Sequence, residues 1–396
     1  MSQIPTSLSG LTSLRTLYLY ENQLSGPIPP ELGKLTSLQD LALGTNHLTS
    51  QIPTSLSGLT SLRTLYLHTN QLSGPIPPEL GNLTSLQVLE LSTNNLTGQI
   101  PTSLSGLTSL RTLYLYENQL SGPIPPKLGK LTSLQDLELS TNNLIGQIPT
   151  SLRALTSLRI LYLNTNQLSG PIPPELGKLT SLQDLALGTN HLTGQIPTSL
   201  SGLTNLKILY LFENQLSGPI PPELGKLTSL QKLGLGTNYL TVRLRIDHNQ
   251  LSENISEEFG VYPNLTFMDL SSNNFYGELT NVWGRKKQLQ ALKIAKNNLT
   301  GGVPLEFGSL SQLQVIDLSS NKLHGEISKE IGKLTLLLNL YLEENQLSGG
   351  IPEELGSLSH LENLDHYRNG LTGQIHGNLA NSEQLHYLNL SFNYLS

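Results

Sequence analysis

The sequence contains no cysteine, and only 13% of its 396 residues are charged and 5% aromatic. Without thiols the chain cannot form disulfides, use a thiolate in catalysis or bind a metal through cysteine. The formal net charge of -6 is spread along the chain, with no basic block that could neutralise phosphates. This pattern argues against nucleic acid as a partner.

An apolar run of membrane-spanning length is also lacking, as is a recognisable signal peptide. The longest hydrophobic stretches are interrupted by polar residues every two or three positions. We therefore expect no membrane contact by this part of the protein.

The sequence contains no arrangement of side chains that is typical of a catalytic or metal-binding site. The nine histidines are scattered, without His-Glu metal-ligand spacing, and no pair of carboxylates is placed for acid-base work. The sequence predicts no enzyme activity, no catalytic residue, no metal site and no cofactor.

Repetition dominates what is present. An asparagine followed two residues later by Leu or Phe recurs in steps of 24 residues, with one step of 11. These anchors are Asn22, Asn46, Asn70, Asn94, Asn118, Asn142, Asn166, Asn190, Asn214, Asn238, Asn249, Asn273, Asn297, Asn321, Asn345, Asn369 and Asn393. Near-identity returns every 48 residues, which indicates tandem duplication, and a fixed period of this length predicts a solenoid.

Each repeat reads L-x-x-L-x-L-x-x-N-x-L-x-G-x-I-P-x-x-L-x-x-L. Leu17 and Leu19 alternate with outward residues, which predicts a short, half-buried strand. Such a strand is unstable alone and needs the next repeat beside it, at about 4.8 Å, to share one core and one parallel sheet. The amide of Asn22 is expected to satisfy backbone groups of the turn and the neighbouring coil. Pro29 and Pro30 predict an extended segment on the outer side of the coil, between the strand and the start of the next repeat. We call this segment the return leg.

This pattern resembles the leucine-rich repeat, and the leg QLSGPIP resembles its plant-specific class. The resemblance implies an α/β solenoid, a right-handed superhelix or horseshoe of 24-residue repeats with a parallel β-sheet on the concave face. The stretch from Asn249 to Gly284 is similar to ectodomains of plant leucine-rich repeat receptor kinases of the male-discoverer-interacting group. Those receptors perceive secreted peptides at the cell surface, which implies an extracellular location and a peptide or protein ligand, with a possible co-receptor.

Departures from the family lead us to expect a fragment or gene-model product. Capping segments with paired cysteines, a membrane helix and a kinase are not in the sequence. Lys286 stands where the family usually has cysteine, His366 occupies a leucine position, and His376 replaces the proline of the return leg. The 11-residue step from Asn238 to Asn249, hereafter the short step, predicts three parts: a regular array at 1–238, a truncated repeat at 239–249 and a second array at 250–396. The solenoid is expected to be either continuous or bent at this junction.

Columns of outward strand residues are the candidate ligand-binding face. One column carries recurrent tyrosines, and the densest charge group follows the short step. Tyrosine combines apolar area with a hydroxyl, which suits capture of an extended peptide; copying by duplication explains the column equally well. The charge group can contact a peptide's polar groups or form a solvated face. The candidate residues are Tyr66, Tyr114, Tyr162, Tyr210, Phe212, Arg243, Arg245, Asp247, Asp269 and Lys293.

Six sequons are candidate glycosylation sites, although N-N-L-T is also a repeat idiom. They begin at Asn82, Asn95, Asn254, Asn264, Asn298 and Asn389.

Two further functions remain open from the sequence. The chain could inhibit a secreted cell-wall hydrolase, like the plant polygalacturonase inhibitors of this repeat class. A threonine recurs every 24 residues from Thr36 to Thr228, and a flat array of that kind could bind ice, although solenoid curvature opposes lattice matching.

Overall fold

The computed structural model describes residues 2–252, 254–256 and 265–396, with only the backbone described at residues 241–243 and 245. The chain divides into two compact units, Met1–Gln215 and Leu216–Ser396.

Every regular coil of the first unit has the same three elements: a strand of the first row, a strand of the second row and a 3-10 helix. The first-row strands are β1 (Thr16–Tyr18), β3 (Asp40–Ala42), β5 (Thr64–Tyr66), β7 (Val88–Glu90), β9 (Thr112–Tyr114), β11 (Asp136–Glu138), β13 (Ile160–Tyr162), β15 (Asp184–Ala186) and β17 (Ile208–Tyr210). The second-row strands are β2 (Ser25–Pro27), β4 (His47–Ser50), β6 (Gln71–Pro75), β8 (Asn95–Gln99), β10 (Gln119–Pro123), β12 (Asn143–Gly146), β14 (Gln167–Pro171) and β16 (His191–Gly194).

The first row forms one parallel sheet in chain order, hereafter the first sheet. Its register advances by one repeat per strand, so that Leu17 pairs with Leu41 and Leu41 with Leu65. These leucines are buried, while the residues on either side point outward. The parallel solenoid predicted from the period is therefore confirmed.

The return leg forms a second parallel sheet, which the sequence predicted only as extended chain. Ser25 pairs with His47 and Gly26 with Leu48, so stacking at the repeat spacing also joins the backbone groups of this leg. Gly26 has a φ of 77°, a left-handed conformation that costs glycine least.

The helical layer consists of 3-10 helices of five residues, and the described residues contain no α-helix. In the first unit these helices are Thr6–Gly10, Pro30–Lys34, Thr54–Gly58, Pro78–Asn82, Thr102–Gly106, Pro126–Lys130, Thr150–Ala154, Pro174–Lys178 and Thr198–Gly202. Proline precedes or begins each helix of the first unit, because its fixed φ suits the first turn. The helices stack closely: a Cβ on Gly33 would collide with the carbonyl oxygen of Ser55.

The anchor asparagines form a hydrogen-bonded ladder through the coils, as predicted. The Nδ2 of Asn142 donates to the carbonyl oxygens of Leu115 at 3.0 Å, Leu139 at 3.2 Å and Ser140 at 3.1 Å. Its Oδ1 accepts from the backbone N–H of Leu120 at 2.9 Å. Two of these four bonds cross to the preceding coil, so Asn142 joins its coil to the one before it.

The second unit contains the remaining strands and helices. Its strands are β18 (Gln215–Pro219, which begins at the last residue of the first unit), β19 (Lys232–Gly234), β20 (Tyr239–Arg245), β21 (Leu265–Asp269), β22 (Tyr276–Glu278), β23 (Ala291–Lys293), β24 (Asn298–Thr300), β25 (Val315–Asp317), β26 (His324–Glu326), β27 (Asn339–Tyr341), β28 (Gln346–Gly349), β29 (Asn363–Asp365), β30 (Gly370–Gly373), β31 (Tyr387–Asn389) and β32 (Tyr394–Leu395). Its 3-10 helices are Pro222–Lys226, Asn281–Arg285, Leu305–Ser309, Lys329–Lys333, Glu353–Ser357 and Gly377–Asn381.

At the short step, one long strand, β20, continues from a second-row position into a first-row position with no 3-10 helix between the two. β20 pairs with the second-row strand β18 and then with the first-row strand β21, with a register shift between Val242 and Arg243. The asparagine ladder is interrupted there. Asn249 donates to carbonyl oxygens of its own turn, but its buried Oδ1 has no hydrogen-bond partner. The ladder resumes at Asn273, whose Nδ2 donates to Ile246 in the preceding coil. Division of the array at this step stays a prediction.

Two of the residues that depart from the family pattern are buried in the second unit. Lys286 is 8% exposed, and its Nζ lies 5.3 Å from the centroid of the Trp283 ring. Burial lowers the pKa of Lys286 to about 8. His366 is fully buried; its Nδ1 lies 2.8 Å from the carbonyl oxygen of Asp365, and its Nε2 has no hydrogen-bond partner. Burial lowers the pKa of His366 to about 4.

The ladder predicts that Asn142→Ala will be strongly destabilising. The change leaves buried backbone groups of Leu115 and Leu120 without these partners, which is expected to cost about 2–4 kcal/mol. Urea denaturation followed by circular dichroism should show a lower midpoint. Asn143→Ala is the matched control, because Asn143 is the exposed neighbour and should change stability by no more than about 0.5 kcal/mol. Equal effects of the two substitutions would contradict the ladder's role.

His366 predicts that acid destabilises the second unit. The unfolded chain binds this proton with the ordinary histidine pKa of 6.5, whereas the folded chain binds it only near 4. Stability linked to His366 is therefore present above pH 6.5 and is lost as the pH falls from about 6.5 to about 4, by about 3 kcal/mol.

His366→Leu should remove this part of the pH dependence and raise the thermal midpoint most at pH 4. His324→Leu is the control, because His324 is an exposed histidine of the same unit. Parallel stability curves against pH for the wild type and His366→Leu would show that His366 is not the group responsible.

Candidate ligand-binding face

The outward face of the first sheet in the first unit carries the predicted tyrosine column. Strand alternation buries Leu65 and leaves Thr64 and Tyr66 partly exposed. In-register pairing then places Tyr66 beside Glu90 and Glu90 beside Tyr114. The column continues from Tyr114 through Glu138, Tyr162 and Ala186 to Tyr210, one residue per strand.

Aromatic rings project in pairs from alternate strands of this face, and we call each pair an aromatic ridge. Ring centroids lie 6.0 Å apart in Tyr18–Tyr20, 6.1 Å in Tyr66–His68, 6.1 Å in Tyr114–Tyr116 and 5.6 Å in Tyr210–Phe212. Tyr162 stands at the same height with Asn164 in place of a second ring. Because ridges alternate with other strands, neighbouring ridges are two strand spacings apart, about 9.6 Å.

The strands between the ridges form two kinds of trough. The outer troughs have small residues, Ala42 with Gly44 and Ala186 with Gly188, and rings cover them. A Cβ on Gly44 would collide with the His68 ring, and one on Gly188 with the Phe212 ring. Ala42 and Ala186 are each only 5% exposed.

The two middle troughs carry carboxylates instead, and we call them the acidic troughs. They are formed by Glu90 with Ser92 and by Glu138 with Ser140. Within the first of these, Ser92 Oγ donates to Glu90 Oε1 at 3.4 Å, and His68 Nδ1 lies 3.6 Å from the same oxygen.

Burial changes the protonation of this part of the face. Burial, together with the charges of Asp136 and Glu90, raises the pKa of Glu138 to about 7. Burial also raises the pKa of Tyr114, with Asp136 and Glu138 adding to the effect. Burial and the charge of Asp184 raise the pKa of Tyr162 to about 12. The tyrosine hydroxyls therefore stay protonated, while Glu138 titrates near neutral pH.

The second unit holds the predicted charge group. Backbone pairing places Arg245 beside Asp269 and Asp269 beside Lys293. The side chains of Arg243 and Arg245 lie outside the described residues. Asp269 is 6% exposed, and its Oδ1 accepts from the backbone N–H of Ser271 at 3.1 Å. Asp247 contacts the Nδ1 of His248 at 2.9 Å.

The structure thus arranges the predicted residues as two separate sets, one in each unit. Tyr66, Tyr114, Tyr162, Tyr210 and Phe212 share the face of the first unit, and Asp269 and Lys293 are neighbours in the second. The acidic troughs were not among the predicted site residues. Their signal was in the sequence: glutamate at positions 90 and 138 replaces the alanine found at the equivalent positions 42 and 186 of the 48-residue unit.

The sequons differ in exposure. Asn82, Asn95 and Asn254 are exposed, Asn298 and Asn389 are partly buried, and Asn264 lies outside the described residues. Asn82 ends a 3-10 helix and Asn95 begins β8, so neither is on a first-row strand. Asn389 is on the first-row strand β31 and donates to Asp365 Oδ2 at 3.3 Å. Glycosylation at each described site stays a prediction.

Two features absent from the described residues bear on other functions. No cluster of three or more His, Cys, Asp or Glu side chains that could bind a metal is found among them. Nor does this part of the chain include a helix long and apolar enough to span a membrane. The recurrent threonines, from Thr36 to Thr228, are all exposed and lie just after the 3-10 helices, away from the first-row strands.

Comparison with known proteins defines the class. A family model described as a leucine-rich repeat region matches residues 66–170, and models described as leucine-rich repeats match residues 180–240, 13–35, 312–334 and 336–358. No curated protein matches the sequence. With the stacked parallel strands and the asparagine ladder, these matches show that the chain belongs to the leucine-rich repeat family.

Among solved structures, the chain is similar to ectodomains of plant receptor kinases. The plant peptide hormone receptor RGFR1, in complex with RGF2, is 38% identical over 100% of this chain and 61% of that chain, with a TM-score of 0.63. The Arabidopsis receptor kinase HAESA, in complex with the peptide hormone IDA and the co-receptor SERK1, is 33% identical over 99% and 76%, with a TM-score of 0.59. This chain thus spans about three-fifths of RGFR1 and three-quarters of HAESA.

A bacterial structure is also similar. A leucine-rich repeat protein of Leptospira interrogans is 31% identical over 94% of this chain and 95% of that chain, with a TM-score of 0.52. The repeat architecture is therefore shared beyond plants, whereas the higher identities are with plant receptor ectodomains, which are extracellular.

Proposed function

We propose that the chain is a non-catalytic recognition scaffold, the extracellular region of a receptor-like protein, and that it binds a secreted peptide or protein. The ligand contacts the outward face of the first sheet in the first unit. The observation that carries this proposal is the series of aromatic ridges, held at one height by in-register pairing.

The ridges have the properties of a binding surface. Tyr66, Tyr114, Tyr162 and Tyr210 are partly exposed, so their rings offer apolar area while their hydroxyls remain hydrogen-bond donors. Tyrosine contributes large contact area at low conformational-entropy cost, and rings of this kind dominate many interfaces. The repeat backbone holds each ring in place before any ligand arrives, which reduces the entropy cost of binding.

The comparisons support a peptide as the ligand class. RGFR1 is described in complex with RGF2, and HAESA with IDA and SERK1. By analogy, we propose a secreted peptide for this chain and a possible co-receptor as a second partner. The charge group around Asp269 and Lys293 in the second unit is proposed as a further contact region, for polar groups of a ligand.

Substitution of the tyrosine column tests the proposal. The full chain is screened against secreted plant peptides by calorimetry, and the best ligand is measured again with Tyr114→Ala, Tyr162→Ala and Tyr210→Ala. Loss of a central aromatic contact is expected to weaken binding by about tenfold to a hundredfold per residue.

Tyr276→Ala is the control, because Tyr276 is an exposed tyrosine on β22, a second-row strand of the second unit. Unchanged affinity in all three column variants would remove the first-sheet face from the proposal. Inhibition of a cell-wall polygalacturonase, or thermal hysteresis of the purified chain, would instead favour the inhibitor or the ice-binding alternative.

A further inference from the structure

The acidic troughs are a feature that peptide binding in general does not explain. The 48-residue unit otherwise repeats almost unchanged. The outward residues of the strands between the ridges, however, are Ala and Gly in the outer troughs and Glu and Ser in the middle ones. A glutamate at a half-buried position costs stability, because burial disfavours its charged form.

Glu138 is surrounded by groups that disfavour its charge. Burial raises its pKa most, and the charges of Asp136 on its own strand and of Glu90 two strands away raise it further. Across the described residues, no side-chain hydrogen bond or ion pair to the Glu138 carboxylate is found. On either side stand Tyr114 and Tyr162, which pair in register with Glu138. In this trough the carboxylate of Glu138 therefore lies between two tyrosines, and no cationic side chain of the described residues is paired with it.

We propose that the two acidic troughs bind two cationic side chains, lysine or arginine, placed three residues apart in an extended peptide. This inference deepens the proposed function and rests on it, because it specifies the charge and spacing of a peptide ligand. The charge of each trough is complementary to a cation, and the tyrosine faces beside it attract a cation further.

The spacing follows from sheet geometry. Glu90 and Glu138 are on β7 and β11, separated by β9, so their troughs are about 9.6 Å apart. A peptide in the extended polyproline II conformation rises about 3.1 Å per residue with three residues per turn, so side chains at i and i+3 lie on the same side about 9.3 Å apart. The peptide would run across the strands, along the column, with its cations at positions i and i+3.

Ring packing limits the number of such sites to two. His68 covers the outer trough at Gly44, and Phe212 covers the one at Gly188. Glu90 already has His68 Nδ1 within 3.6 Å of its Oε1, a neighbour that competes with a ligand cation. The trough at Glu138 should therefore contribute more to binding than the trough at Glu90.

A neutral glucan is the main competing ligand. Sugar rings also stack on tyrosines, and ridges about 9.6 Å apart could accommodate them. A glucan would leave the carboxylate of Glu138 half-buried and uncompensated, whereas a cation compensates it. The structure therefore favours the cationic peptide.

The affinity of a cationic peptide should depend on pH. The charged and titratable side chains around Glu138 are Asp136, Glu90, Tyr114, Tyr162 and, next to Asp136, Arg159. The tyrosines stay neutral in the working range, so deprotonation of Glu138, with a pKa of about 7, is the main change near neutral pH. Because a cation prefers the carboxylate form, affinity should rise as the pH increases through 7.

Labelled synthetic peptides test the spacing and the charge. The probes are peptides of about twelve Gly, Ser and Ala residues that carry two arginines at i and i+3, two arginines at i and i+1, or two glutamates at i and i+3. Fluorescence anisotropy with the full chain should rank the i, i+3 arginine peptide first. Glu138→Gln should weaken that complex by about tenfold, or about 1.4 kcal/mol, and flatten its pH dependence.

Glu79→Gln is the matched control, because it removes the same charge from an exposed position in a 3-10 helix, off the first sheet. Circular dichroism confirms that both variants are folded. Equal affinities of the two arginine peptides, or no effect of Glu138→Gln, would overturn the proposal. Binding of cellohexaose that survives in Glu138→Gln and displaces the peptides would overturn it in favour of a glucan.

The outcomes separate this inference from the proposed function. If a secreted peptide binds and the tyrosine variants weaken it, but charge, spacing and Glu138→Gln have no effect, the face binds peptides and the cation inference fails. If none of the synthetic peptides binds, the cation inference also fails, and the proposed function is decided by the screen with the tyrosine variants.

Discussion

The hydrogen bonds of the anchor asparagines are the constraint on which the rest of the structure depends. In each coil that follows a regular 24-residue step, the asparagine satisfies carbonyl groups of its own turn and also joins the preceding coil, as Asn142 does with Leu115 and Leu120. Leucine burial drives the coils together but has no preferred direction. The amide ladder supplies direction, because its bonds form only when neighbouring coils are in one register.

That register explains both the candidate face of the first unit and the irregular structure at the short step. When every coil is held at the same height, an outward residue copied by duplication becomes a straight column, such as the alternation of Tyr114 with Glu90 and Glu138. Where 11 residues replace 24, the residue equivalent to the backbone donors of the other coils is Leu240 on β20, and the Oδ1 of Asn249 remains without a partner. β20 spans this step as a single strand that joins a second-row strand to a first-row strand.

Outward-facing side chains carry the functional hypotheses, because the core offers little chemical variety. Most buried apolar side chains are leucine or isoleucine, so differences between coils are concentrated on the outward face. There, burial raises the pKa of Glu138 to about 7, an energetic cost that a neighbouring cation would offset. His366 shows the opposite case: an imidazole at a leucine position inside the core, neutral because burial disfavours its charge.

The sequence by itself determined the repeat, the first sheet, the buried leucines and the asparagine ladder, because each follows from a period of 24 residues and from backbone groups that must be paired. It also placed the tyrosines in one column. Only the tertiary structure decided that the return leg forms a second sheet, that the helices are 3-10, and that His68 and Phe212 cover Gly44 and Gly188 while Glu90 and Glu138 remain accessible. These features depend on how side chains of neighbouring coils lean against one another, and a pattern within one repeat does not contain that information.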